Sequence, residues 1–204
     1  MKKTLAKILL LAFILTAFPA SAFGYSYGNA EKEPLAESYK KVAAAVNTGN
    51  WKTVDSEFKA FKAELAKEFG AALVKQTEAA IKAKNKNNVL IDYRNYMAQN
   101  VKRRLKSTAD SLKDYKKAKM MLAKAQATYE VLAPIVKSKK ASTHTSIETA
   151  FDKASDALGN PGLFGTGAKP ANSKAFAAAS NTINSALLSM FPARKVPVTK
   201  PVKR

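Results

Sequence analysis

Apolar residues recur every three or four positions across most of the interval 34–140, and nowhere do they alternate with a period of two. That spacing predicts helices throughout and no strand. Pro34 suits the first turn of a helix over 34–47, which Thr48 and Gly49 end. Asn50 is placed to cap a second helix, whose Trp51, Val54, Phe58, Phe61, Leu65 and Phe69 form one apolar stripe. Gly70 is expected to bend it, with Leu73, Val74 and Ile81 continuing the apolar content towards Lys84 and a turn at 85–88. A third helix is expected over 89–106, with Leu90, Tyr93, Met97 and Val101 on one side and a break at Ser107 and Thr108. The fourth, 109–137, carries a near-heptad seam of Leu112, Tyr115, Ala118, Leu122, Ala125, Tyr129, Leu132 and Val136. Pro134 should kink or end its last turn. A fifth helix over 146–158 buries Ile147, Phe151, Ala154 and Leu158, and a sixth over 173–190 buries Phe176, Ala179, Ile183 and Leu187.

Short connections favour antiparallel neighbours, so the expected fold is all-α: an up-and-down helical bundle or stacked helical hairpins of about six helices. One domain, 34–191, accommodates them, and the lack of a fixed period argues against a solenoid. Three segments flank it. Residues 1–22 read as a signal peptide, with Lys2, Lys3 and Lys7, an apolar run over 9–18, and small residues Ala20, Ser21 and Ala22 before Phe23. That run is shorter than the roughly 20 residues a spanning helix needs. Residues 23–33 are expected to be extended, and 192–204, with three prolines and five basic residues, to be a disordered basic tail. The expectation is a periplasmic or secreted protein, soluble after cleavage near Ala22.

Composition narrows the chemistry. The chain has no cysteine, which excludes disulfides, Cys-ligated zinc, iron–sulfur clusters and c-type haem attachment. A single histidine, His144, excludes a multi-histidine metal site within one chain. The formal net charge is +20, and removal of the three leader lysines leaves +17. The positive charge is thirty Lys against five Arg. Lysine is a hydrated point charge, whereas planar phosphate recognition favours Arg, so no specific nucleic-acid reader is expected. Weak, salt-sensitive attraction to polyanions (anionic lipid, cell-wall polymer, nucleic acid) follows from the charge itself.

Three groups of residues are candidate sites. The loop Gly159, Asn160, Pro161, Gly162, Leu163, Phe164 and Gly165 combines a helix-capping glycine, a Pro-Gly turn and an apolar pair. It reads either as a packed loop closing one end of the helices or as a partner or ligand loop. His144, Glu148 and Asp152, followed by Asp156, recur every four residues. Such a row drifts by about 40° per step around a helix, so only neighbouring pairs act together, and ligands from another helix are needed. The set suits iron or another divalent metal, or is a solvated acidic face. Arg94, Arg103 and Arg104 lie on one predicted helix. They read as ion pairs, Arg94 or Arg104 with Asp114 or Glu130, or as an anion site. No nucleophile with an oriented base is legible, so no enzyme is expected.

The runs Asp92-Tyr93-Arg94, Arg103-Arg104-Leu105, Asp114-Tyr115, Ala118-Lys119 and the 158–165 loop, with the turn Gly49-Asn50-Trp51, resemble the extracytoplasmic helical region attached to some bacterial high-affinity iron permeases. The resemblance implies a part in iron uptake and a membrane transporter or envelope protein as partner. The chain departs from that family in having no transmembrane bundle after the leader and no Arg-Glu-x-x-Glu motif. The functional expectation is therefore a non-catalytic helical binding protein, an accessory of iron or other metal transport. The alternative is a cationic envelope protein that binds polyanions nonspecifically. Oligomeric state is not encoded in any motif.

Overall fold

The computed structural model describes residues 33–162 and 166–195. The expected signal peptide, nearly all of the 23–33 segment, Leu163, Phe164, Gly165 and the tail beyond Lys195 lie outside the described residues. The chain is all-helical, and the described residues form eight helices rather than about six. They are α1 (Pro34–Thr48), α2 (Trp51–Phe69), α3 (Ala71–Lys82), α4 (Lys86–Asp110), α5 (Tyr115–Glu130), α6 (Ala133–Lys139), α7 (Ala141–Ala157) and α8 (Ser173–Met190).

Local chemistry sets most of these boundaries. Pro34 occupies the first turn of α1, and Gly49, at φ 74°, ends it with Asn50 N donating to Ala45 O at 2.8 Å. Asn50, Asn85, Asp114 and Asn172 each accept a backbone N–H from three residues on, capping α2, α4, α5 and α8. Gly70, at φ 97° and ψ 140°, separates α2 from α3 instead of merely bending one helix.

Three expected boundaries move. Ser107 and Thr108 do not break α4, because the Thr108 hydroxyl bonds back to Arg104 O at 2.9 Å within the helix. The break falls at 111–114, where Asp114 caps the next helix. The seam expected over 109–137 is two helices, since Pro134 sits in the first turn of α6, where its missing N–H costs nothing. Finally, α7 starts at Ala141, ahead of the expected Ser146.

α4 is the hub, packing against α1, α2, α3, α5 and α8, while α7 pairs with α8. Tyr93, Tyr96, Met97, Val101 and Leu105 of α4 are fully buried among Val54, Phe58, Leu122, Tyr129, Phe176 and Leu187 of its neighbours. Burying a side chain of this size contributes about 1.5–3 kcal/mol. Trp51, Phe61 and Phe69 of the α2 stripe are only partly buried, at the edge of the core.

Candidate functional site

The buried charges all concern α4. Glu33, just before α1, has its side chain 1% exposed; its Oε1 accepts from Arg104 Nη2 at 2.9 Å, and Oε2 lies 2.8 Å from the same nitrogen as an ion pair. Buried Asn100 donates to Glu33 Oε1 at 3.3 Å and to Thr128 Oγ1 of α5 at 3.2 Å. Its own Oδ1 accepts from Arg103 Nε at 3.0 Å and Nη2 at 2.8 Å. Arg103 then reaches Glu64 and Glu68 of α2, each at 3.5 Å. Nearer the start of α4, Asp92 is wholly buried and receives Arg194 Nε at 2.7 Å and Nη2 at 2.6 Å. Both oxygens are bonded in the bidentate geometry that guanidinium provides. Arg194 follows α8, and Asn95 Nδ2 holds Phe191 O at 2.7 Å in the same segment. The two clamps fasten Glu33 and Arg194, near the first and last described residues, to one helix.

This corrects the reading of Arg94, Arg103 and Arg104 as an anion site. Arg103 and Arg104 are neutralised by carboxylates, while Arg94, about 14 Å back along the axis at 1.5 Å per residue, donates to Tyr39 OH at 3.4 Å. The expected use of arginine for semi-buried ion pairs holds for Arg104, but its partner is Glu33 and not Asp114 or Glu130. Asp114 is spent on the α5 cap, accepting from Lys117 N at 3.1 Å.

His144, Glu148 and Asp152 share α7. The imidazole stacks on buried Tyr129, whose hydroxyl lies 2.6 Å from Nδ1. Glu148 Oε1 is 3.9 Å from the same nitrogen. Asp152 is exposed one turn further on, and no group of three or more His, Asp or Glu side chains gathers as a metal cage among the described residues. Burial pushes the Tyr129 phenol well above its ordinary acidity range, with Glu148 adding to the effect, so the hydroxyl is protonated at neutral pH.

The described part of the 158–172 loop is tightly built. Gly159 has φ 71°, and a Cβ there would lie 2.3 Å from Lys169 O. Asn160 and Lys169 exchange backbone hydrogen bonds of 2.9 and 2.8 Å, and Asn160 Oδ1 accepts from Gly162 N at 2.9 Å. Pro161 is exposed in the turn between them, and Asn172 N closes the loop onto Ala157 O at 2.8 Å. α7 and α8 flank an open groove of about 760 Å³ lined by small and hydroxyl side chains such as Thr149, Ala178 and Thr182, with Lys153 and Asp156 among them.

The remaining functional feature is the distribution of paired and unpaired charge. On α1–α4 the acids are matched: Glu37 with Lys40, Glu57 with Lys41, Asp55 with Lys59, Glu78 with Lys62 and Lys82, and Asp110 with Lys106. The hydrogen bond from Lys62 holds the Glu78 carboxyl below its ordinary range. The lysines from 113 to 140 pair with no carboxylate among the described residues. Long-range pairing decides which charges remain, so only composition hinted at this face.

The chain matches no protein-family model, no curated protein and no solved structure. No described helix is long and apolar enough to cross a membrane.

Proposed function

We propose that this chain is a non-catalytic binding protein of the cell envelope that attaches to anionic partners through a cationic face, on a scaffold of stacked helical hairpins. One observation carries the reading: the acids of α1–α4 are consumed by internal ion pairs, while the lysines between 113 and 140 are left to solvent. The leader pattern of residues 1–22 supports an envelope location. The net charge supports attraction to anionic polymers rather than to free metal cations, which the same field repels.

The test is binding to long-chain polyphosphate over a salt series. The logarithm of the affinity should fall linearly with the logarithm of salt concentration, as expected when lysines displace condensed counterions. An absence of binding at low salt, or an affinity that salt leaves unchanged, overturns the reading.

The contact of His144 with Glu148 at 3.9 Å favours a second reading, a metal-transport accessory with iron or another divalent metal at α7. That reading requires one-site heat with Fe(II), Fe(III)-citrate or Zn(II) in calorimetry, lost in His144→Ala and in Glu148→Ala.

A further inference from the structure

We infer that the outward face of α5 is a docking surface for an anionic lipid bilayer, an inference that rests on the cationic reading above and names its partner. The inner side of α5 is fixed by Ala118, Leu122, Ala125 and Tyr129, all buried against the core. With 3.6 residues per turn, the opposite side carries Lys116, Met120, Ala123 and Ala127 in succession along one line. Lys119 flanks that line on one side, and Lys117 and Lys124 on the other. The face is therefore an apolar strip between lysines. Met120 is 36% exposed, one of two large hydrophobic side chains so exposed among the described residues. No acid stands between Lys116 and Ala127 on this face: Asp114 precedes the helix as its cap, and Glu130 follows on the same side at the last position.

A soluble polyanion has use for the lysines but none for the strip between them. A bilayer uses both. Lysine stems lie along apolar surface with the ammonium groups raised to lipid phosphates, while the strip enters the headgroup boundary. Lys119 Nζ sits 5.9 Å over the ring of Tyr115, which is itself packed against the core, so an aromatic supports this ammonium at the flank of the face. Lysine point charges suit fluid headgroups, which offer no fixed geometry for a guanidinium fork to match.

The experiment compares flotation of the protein, purified from an exporting host, with vesicles of equal parts phosphatidylglycerol and phosphatidylcholine, and with phosphatidylcholine alone. One variant carries Lys116→Gln, Lys117→Gln, Lys119→Gln and Lys124→Gln. A second carries Lys52→Gln, Lys67→Gln, Lys75→Gln and Lys102→Gln, the same charge change at exposed lysines outside α5. A third places Met120→Trp in a Trp51→Phe background. Both quadruple variants share the native amino-terminal segment, so their comparison is insensitive to it.

At about fivefold per lysine held at the surface, the α5 variant should lose several hundredfold in partitioning. The second variant should lose far less, phosphatidylcholine alone should bind neither, and the indole of the third should shift to the blue on the anionic vesicles. Equal losses in the two quadruple variants, or an unshifted indole on bound protein, overturn the inference. Binding to polyphosphate without binding to anionic vesicles also overturns it while leaving the proposed function standing. Binding to neither overturns both.

Discussion

Replacing Arg194 should cost the protein far more than an ordinary surface arginine. Its side chain is 21% exposed, but that of Asp92, which it meets, is 0% exposed, with Gln76 Nε2, at 3.4 Å, the only further side-chain donor among the described residues. The hydrogen bonds to Asp92 raise the Arg194 pKa above its ordinary value, so the guanidinium stays charged at any workable pH. Removing one partner of a buried pair costs about 3–5 kcal/mol, because the other charge is left without solvent. Here one partner is partly wet, so Arg194→Gln should sit at the lower end, about 3 kcal/mol. In a domain of this size that corresponds to a fall in Tm of roughly 6–12 °C. Asp92→Asn should cost less, about 1–2 kcal/mol, because Arg194 is free to turn to water. The double variant should be less destabilised than the sum, with a coupling of about 1–3 kcal/mol. Urea unfolding followed by far-ultraviolet dichroism and by Trp51, the only tryptophan, reads all four corners of the cycle. The coupling should survive about 1 M salt, where exposed pairs are screened within roughly 3 Å. A loss under about 1 kcal/mol for Arg194→Gln, the range of surface pairs, or strict additivity, would refute the clamp.

Other consequences are as direct. Gly159→Ala should destabilise by about 2–4 kcal/mol, since a positive φ is joined by a collision with backbone that cannot give way. Gly49→Ala, at a similar φ but with open space around it, should lose only about 1 kcal/mol in the same denaturation assay. Burial raises the pKa of Tyr93, Tyr96 and Tyr129 from 10.0, so above that pH the unfolded chain sheds protons the folded one keeps. Stability is whole below pH 10 and should then fall by about 4 kcal/mol per pH unit for three such groups, with phenolate absorbance appearing together with unfolding. Tyr129→Phe removes the 2.6 Å bond to His144 and should cost about 1 kcal/mol by calorimetric melting.

The apolar periodicity made the core legible, because a helix buries whatever recurs every three or four residues. Tyr93, Met97 and Val101, and the run from Ala118 to Val136, lie where that rule places them. Glycines 49 and 159 and the cap at Asn50 also act within a few residues. What failed was of two kinds. Serine and threonine are ambiguous locally, and Thr108 satisfies itself on Arg104 O inside a helix that it was expected to end. Ion pairs are ambiguous globally, since nothing near Arg104 distinguishes Glu33 from Asp114 or Glu130 as its partner. The lysine face of α5 was hidden for the same reason: charge counts are local, but neutralisation depends on which acids the fold delivers elsewhere.

The two clamps on α4 also bear on when the chain is able to fold. Arg104 binds a carboxylate 71 residues before it, and Asp92 waits for a guanidinium 102 residues after it. A chain synthesised amino terminus first can make the earlier contact while it is still emerging. It cannot neutralise Asp92, or cover α4 with α8, until Arg194 and the helix before it have arrived. Contacts of such separation are slow to form and leave a partial chain open. The fold thus delays its own completion until Arg194 is available, and a chain cut short before it keeps α4 uncovered and Asp92 unneutralised.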